Sequence, residues 1–306
     1  MQASHAIGVD LGGTKILAGV VDRDGSIVRR HERATPQDSQ EHVLAELEAA
    51  VAELMDDSVG AVGFGVPSPI DQAKGVVVRC VNVPLEDAPL RDRMQERFGV
   101  PVGLDNDANA AAHGEWRAGA GRGEDDIVML TLGTGVGGGV ISGGRPFRGR
   151  NGAGAELGHV VIVHDGRPCQ GACTGRGHLE TYASGSAATA AAREAFGPSA
   201  DAHRLVRLAT EGDAQAKELL EDVARHLGSG IGSFVNIFGP QLVILGGGFG
   251  VAAYDYLRGP AEEVMRREAL EPMRSAVRLA KAELGTAAGL IGAGFVGFEA
   301  LDAAGS

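Results

Sequence analysis

In both halves of the chain an apolar strand breaks at a run of glycines and then resumes. Near the start, the apolar run Ala6 to Asp10 meets Gly12-Gly13, resumes over Ile16 to Asp22, and turns again at Asp24-Gly25. Further on, Ile127 to Leu132 meets Gly133 to Gly139, resumes at Val140-Ile141, and turns at Ser142-Gly143-Gly144. Strands joined by glycine turns read as β-hairpins. A hairpin opening each half predicts two α/β lobes of related design. There are 48 glycines in 306 residues, well above the usual ~7%. They cluster at Gly12-Gly13, Gly133 to Gly139, Gly152 to Gly158 and Gly246 to Gly250. Clusters between apolar segments suit loops where backbone approaches a ligand closely; the scattered glycines are assigned in part to compositional bias.

The length fits roughly two domains of ~150 residues. The division is expected to place residues 1–115 and 290–306 in a small N-terminal lobe, and 116–289 in a larger C-terminal lobe. Apolar residues at helical spacing predict a helix over Ser39 to Met55, with Asp38 or Ser39 as its N-cap. Further helices are read at Leu90 to Phe98, Asp107 to Trp116, Ala214 to Phe238, Pro260 to Arg267 and Gly285 to Leu301. Pro260 is placed in a first turn, where proline is tolerated. Strands are read at Gly60 to Val66, Val100 to Leu104, Leu242 to Leu245 and Val277 to Ala280. Disorder is expected only at the tail, 303–306.

The net charge of -12 and the lack of basic runs argue against nucleic acid as the main partner. The N-terminus enters an apolar strand without a basic leader, and no uninterrupted apolar stretch approaches ~18 residues. Three cysteines do not make a disulfide framework. A cytoplasmic protein that neither enters nor spans a membrane is the expectation.

Four motifs carry chemistry. Asp10-Leu-Gly-Gly-Thr-Lys15 places an acidic residue at a strand end before a tight turn whose N–H groups can bind phosphate. Asp10 there can hold Mg2+, usually through water, and Gly12, Gly13, Thr14 and Lys15 complete a candidate cofactor site; an ordinary hairpin is the plain alternative. Thr131 to Gly139 repeats the arrangement, with Thr134 and Gly135 as donors. A third glycine run, with Gly247 and Gly248, follows a strand and reads as a nucleoside-facing loop. Asp105-Asn-Asp-Ala-Asn109 sits at a strand-to-helix junction. There Asp107 can accept a hydroxyl proton and Asn106 can position the acceptor, or both can be plain helix caps. Finally, His159, Cys169, Cys173 and His178 make an S2N2 set of the kind that holds structural zinc. Cys80 is remote and reads as buried filler, and His164 as a spare ligand.

Taken in order, DLGGTK, GVPSPID, DNDAN, LGTGVGGG, ELGH, the Cys/His knuckle and LGGG resemble the ROK family of sugar kinases and sugar-responsive repressors over nearly the whole chain. The resemblance implies an α/β, two-lobed actin-like ATPase (ribonuclease-H-like) fold with an interlobe cleft. It implies Asp107 as catalytic base and Asn106, Glu156, His159 and Glu180 as sugar ligands, with His159 giving its other ring nitrogen to zinc. The usual knuckle is Cys-x-Cys-Gly-x2-Gly-Cys; here two residues follow Cys169 as an insertion and His178 replaces the third cysteine. Repressors of the family carry an extra N-terminal helix-turn-helix, for which a phosphate loop at Asp10 leaves no room. The expected activity is therefore ATP-dependent phosphorylation of glucose at O6, using Mg2+ and a structural zinc. An N-acetylhexosamine kinase, a fructokinase and a sugar-sensing regulator are the alternatives. The resemblance also implies a homo-oligomer, dimer or tetramer.

Overall fold

Both predicted hairpins form. In the computed structural model, which describes residues 4–150, 152–171 and 173–305, β1 (His5–Leu11) and β2 (Lys15–Asp22) pair antiparallel across the Gly12-Gly13 turn. β3 (Ile27–Ala34) extends them, and its exposed arginines and glutamate mark it as an edge strand. Then follow α1 (Gln40–Leu54), β4 (Val59–Val66), β5 (Ile70–Asp71), β6 (Val76–Arg79), β7 (Glu86–Ala88), α2 (Leu90–Phe98), β8 (Val102–Asn106) and α3 (Asp107–Ala118). The chain continues through β9 (Ile127–Leu132), β10 (Val136–Ile141), a 3-10 turn at Leu157–His159, α4 (Glu180–Ala183), α5 (Gly185–Phe196), α6 (Ala202–Thr210) and α7 (Ala214–Phe238). It ends with β11 (Leu242–Gly246), α8 (Gly248–Ala252), α9 (Tyr254–Glu268), α10 (Met273–Ala276), β12 (Arg278–Lys281) and α11 (Ala288–Ala304).

Packing divides the chain into two units. The first holds Met1–Gly123, Pro146–Ala155 and Thr286–Ser306; the second holds Glu124–Arg145 and Glu156–Gly285. These limits differ from the expected 1–115 and 290–306. The backbone after α3 is still tied to that helix, since Gly119 and Gly121 donate to the Glu115 carbonyl. Residues 146–155 return to the first unit because Arg148 is bound there to Asp105 and Glu299.

The first unit is built on a five-stranded sheet in the order β3-β2-β1-β4-β8. β3–β2 and β2–β1 are antiparallel, while β1–β4 and β4–β8 are parallel. Parallel strands covered on both faces read as continuous apolar runs, and β4 is buried at every position but Gly60. Ser39 caps α1, accepting from the His42 N–H, which settles the choice left open with Asp38. A row of glycines crosses the sheet in register, Gly19–Gly8–Gly63–Gly103. α11 lies directly over it: a Cβ at Gly8, Gly63 or Gly103 would fall on the Leu290, Ala293 or Val296 carbonyl. These scattered glycines are therefore seats for a helix rather than compositional drift. The seat also accounts for the composition of Gly285–Ala304, a helix long and apolar enough to cross a membrane but mostly buried within the protein. α11 runs through Ala303 and Ala304, where disorder was expected; Ser306 lies outside the described residues.

The second unit has a four-stranded sheet, β10-β9-β11-β12, with β9–β10 antiparallel and β9–β11–β12 parallel. Two expectations are corrected here. Gly137 to Gly139 are not loop but strand, paired with Thr131, Leu130 and Met129. Glycine is needed there for packing, since a Cβ at Gly138 would lie 2.6 Å from the Leu157 side chain. Pro260 is not in a first turn, because α9 begins at Tyr254. The helix tolerates the missing N–H because Leu257, Ala261, Val264 and Met265 are buried on its inner face.

Candidate functional site

In the first unit the parallel strands β1, β4 and β8 end together. Asp10 is in register with Gly65, and Gly65 with Asp105, so Asn106 and Asp107 emerge at the carboxyl ends of the strands, where α/β sheets bind ligands. The residue that caps α3 is Asn106, whose side chain accepts from the Ala108 and Asn109 N–H groups. Asp107 is the first helical residue, and its Oδ1 also accepts from Ala108 at 2.9 Å. The capping and carboxylate roles that the motif left open are thus divided between neighbours. Burial raises the Asp107 carboxyl above its ordinary value, against the lowering effect of the Ala108 N–H and the Asn106 side chain. Asp10 is pushed up to about 7, chiefly by burial and then by the charge of Asp107, with Lys15 opposing. A buried carboxyl raised further by a neighbouring one is a donor set that a divalent cation would relieve.

The Gly12-Gly13 turn is held from outside. Gly12 donates to the Lys15 carbonyl at 2.9 Å, Thr35 Oγ1 donates to the Gly12 carbonyl at 2.7 Å, and Gln37 Nε2 to the Gly13 carbonyl at 2.7 Å. Thr14 joins through its carbonyl, which accepts from the Thr35 N–H. The Lys15 ammonium pairs with Glu32 at 3.0 Å in an exposed bridge. Thr35 and Gln37 escaped the sequence reading because β3, which carries the chain to them, has no apolar alternation. Gly289 escaped it too: it leaves room for the Asp10 carboxylate, on which a Cβ at 289 would fall. Cys80 is buried, as expected of filler, but its thiol is close enough to Asp107 to feel its charge. Burial pushes it up to about 11, against a lowering bond to Ser68.

In the second unit the turn between β9 and β10 spans Gly133 to Gly135, with the Gly133 N–H on the Gly135 carbonyl at 3.0 Å. Thr134 is exposed at its tip. Glu180, opening α4, fills the inner side: its Oε2 accepts from the Val136 N–H at 3.0 Å, and a Cβ at Gly135 would fall on that oxygen. Gly247 follows β11 at φ 76°, and a Cβ there would lie 2.5 Å from the Leu132 carbonyl. Gly248 begins α8 with open space around its Cα. Glu156 precedes the 3-10 turn and His159 ends it, both exposed. Gly158 seats that turn on β10, where a Cβ would meet the Val136 carbonyl.

The Cys/His set comes together. One ligand atom from each of His159, Cys169, Cys173 and His178 lies within 4.8 Å of the others. His159 Nδ1 is 3.1 Å from His178 Nδ1 and 3.7 Å from Cys169 Sγ, and Cys173 Sγ is 3.7 Å from His178 Nδ1. Both rings therefore turn Nδ1 inward, leaving His159 Nε2 for another partner. The loop that carries the set is laced by Cys169 N–H to the Gly175 carbonyl and Gly177 N–H to the Arg167 carbonyl. The residues after Cys169 are accommodated with Gly171 at φ 60°. Gly175 must lack a side chain, since a Cβ would fall on the His178 ring. His164 is not in the group. Two thiols and two imidazoles at this spacing fit a tetrahedral zinc ion.

The ROK family profile matches residues 6–296. A glucokinase of Thermotoga maritima is 39% identical over 280 residues, which cover 86% of this chain and 87% of that protein. A ROK family glucokinase from Streptomyces griseus, solved in complex with glucose and AMPPNP, is 36% identical with a TM-score of 0.81, covering 96% of this chain and 99% of its own. A ROK hexokinase from Thermus thermophilus gives a TM-score of 0.85 at 36% identity, covering 99% and 100%. The fold shared with these structures is the two-lobed actin-like ATPase fold.

Proposed function

The chain belongs to the ROK family, and from that premise we infer that it is an ATP-dependent hexose kinase whose substrate is glucose. The observation that carries this reading is a partly exposed carboxylate with a raised pKa, Asp107, at the mouth of parallel strands beside the Gly12-Gly13 turn. Phosphoryl transfer to an alcohol needs little else from a protein than a proton acceptor, positioning and charge stabilisation.

In the proposed reaction the glucose O6 attacks the γ-phosphorus in line, its proton passes to Asp107, and the bond to the β-γ bridging oxygen breaks to release ADP. Asn106 orients the sugar hydroxyls in the first unit, while Glu156, His159 and Glu180 are the sugar ligands of the second. The turn amides of Gly12, Gly13 and Thr14, with Lys15, and those of Thr134 and Gly135, serve the phosphates; Gly247 and Gly248 serve the nucleoside. Mg2+ held near Asp10 through water would neutralise phosphate charge. A structural zinc held by His159, Cys169, Cys173 and His178 would fix the His159 ring, so that Nε2 faces the sugar in one tautomer. The three free thiols suit a reducing cytoplasm, and a dimer or tetramer is the assembly proposed from the resemblance.

The test is ADP release with a panel of hexoses. Glucose is expected to turn over, with N-acetylglucosamine, N-acetylmannosamine and fructose much slower and 6-deoxyglucose inert. Turnover that needs no sugar, or that accepts 6-deoxyglucose, contradicts transfer to O6. Elemental analysis of protein purified without chelator is expected to find one zinc per chain; protein without zinc contradicts the metal assignment.

A further inference from the structure

Asp105 looks in sequence like a second acidic candidate beside Asp107, yet it is fully buried, with 0% exposure. Such a carboxylate cannot reach substrate. A buried charge persists only if it is paired and its lone pairs are used, and both Asp105 oxygens are. Oδ1 accepts from the Asn106 N–H at 2.9 Å and from Asn109 Nδ2 at 3.2 Å; Oδ2 accepts from Arg148 Nε at 2.6 Å. Arg148 Nη2 reaches a second carboxylate, Glu299 Oε2 on α11, at 2.7 Å. The guanidinium fork thus ties the end of β8 to α11 from a loop that packs with the same unit. That loop is fixed in its own right. Gly154 donates to the Arg148 carbonyl at 2.9 Å, and Gly152 sits where a Cβ would fall on the Ile70 carbonyl.

We propose that the Asp105–Arg148 pair is a positioning device for the proton-accepting junction, an inference that rests on the kinase reading above. The Asp105 bonds that do not go to Arg148 go to Asn106 and Asn109, and Asn106 is the residue that caps α3. They set the direction in which the chain leaves β8 and begins the helix, and so the aim of Asp107 as its first residue. Misplacing a catalytic group by about 1 Å can cost ~100-fold in rate. Arg148 holds Asp105 in place for that task, and Lys could not replace its fork, because a single ammonium cannot match two carboxylates in that geometry. The two residues are 43 apart in sequence, so no local motif announces them.

The experiment uses the full chain with Arg148→Met, Arg148→Lys, Asp105→Asn/Arg148→Met and Asp105→Leu/Arg148→Met. All are assayed below the melting temperature of the least stable. Arg148→Met is expected to lower kcat about 10- to 100-fold with the KM for ATP within about twofold, and to speed hydrogen exchange at the Asn106 and Ala108 amides. Arg148→Lys falls between it and wild type. Asp105→Asn/Arg148→Met keeps an acceptor for the Asn106 N–H without a buried charge, and is expected to recover most of the lost kcat. Asp105→Leu/Arg148→Met removes that acceptor and stays slow even if it melts like wild type. Wild-type kcat in Arg148→Met, unchanged protection of those amides, or equal kcat in the two double variants would overturn the proposal. Hydrogen exchange reads the positioning without turnover. Wild-type protein inactive on every hexose would sink the kinase reading and leave the exchange result to decide the positioning.

Discussion

The two units start from the same device and finish it differently. Each pairs a glycine-turn hairpin with a parallel strand: β1–β2 with β4, and β9–β10 with β11. In the first unit a side chain at Gly13 would meet ordinary contact, while one at Gly12 would lie 3.1 Å from the Lys15 carbonyl. The nearest atom to a Cβ at Gly13 would be the Asn82 Cβ at 3.4 Å, and the carboxylates nearby, Asp10 and Asp107, are raised in pKa. In the second unit the turn is closed from inside by Glu180, whose oxygen is already satisfied by the Val136 N–H. A buried carboxylate whose pKa is raised can take a proton; one tied into a turn is better suited to hold a shape. On the proposed reaction, one scaffold used twice separates proton chemistry from framework.

That contrast can be broken or sharpened at defined places. The largest effect on stability is expected at Gly63→Ala in the first unit, where a methyl would fall on the Ala293 carbonyl. Thermal or urea melts should show a loss of about 3 kcal/mol or more; an unchanged melt would mean α11 does not rest on the glycine row. In the second unit, Gly135→Ala should displace Glu180 and cost about 1–3 kcal/mol through the lost Val136 bond. Its counterpart Gly13→Ala should stay within about 0.5 kcal/mol. Equal costs for the two would remove the asymmetry between the turns.

Acid and chelator should act on different units. His113, at 1% exposure in α3, is pushed down to about 3, first by burial and then by Arg148 and Arg117, with Glu299 facing it at 3.8 Å. Its folded pKa lies below the ordinary 6.5, so the unfolded chain takes up the proton first. Stability should therefore fall as pH drops below 6.5, by about 1.4 kcal/mol per unit at most, and His113→Phe should flatten that slope. A slope unchanged in the variant would assign the acid sensitivity elsewhere. EDTA should instead speed hydrogen exchange in the loop around residues 160–178 and leave the α3 amides protected. Uniform loosening of both units would contradict a structural zinc confined to the second.

Much of this organisation could be read before the fold was seen. The two hairpins, the helix Ala214 to Phe238 and the Asp107 junction carry their signals within a few residues. The Cys/His set was legible because thiols and imidazoles have few other reasons to cluster. What escaped depends on partners far away in the chain. β3 is an exposed edge of arginines and glutamate, so no apolar period marks it. α5 is rich in alanine, and its buried Ala188 and Ala192 look like any surface alanine. The glycines under α11 make sense only when the strands are aligned, and Asp105 differs from Asp107 only by the presence of Arg148. The glycine run after Leu132 misled because strand glycines that admit a neighbouring turn look like loop glycines.

The division of labour between the units is tested most directly by measuring kcat and KM for glucose in Asp107→Asn and Glu180→Gln side by side, with melting curves for both. The expected result is a kcat lowered at least ~100-fold in Asp107→Asn at near wild-type stability. Glu180→Gln should keep kcat within about tenfold, with most of its defect in KM. An Asp107→Asn protein that turns over glucose at the wild-type rate, or a Glu180→Gln protein that alone loses turnover, would contradict the assignment of the proton acceptor.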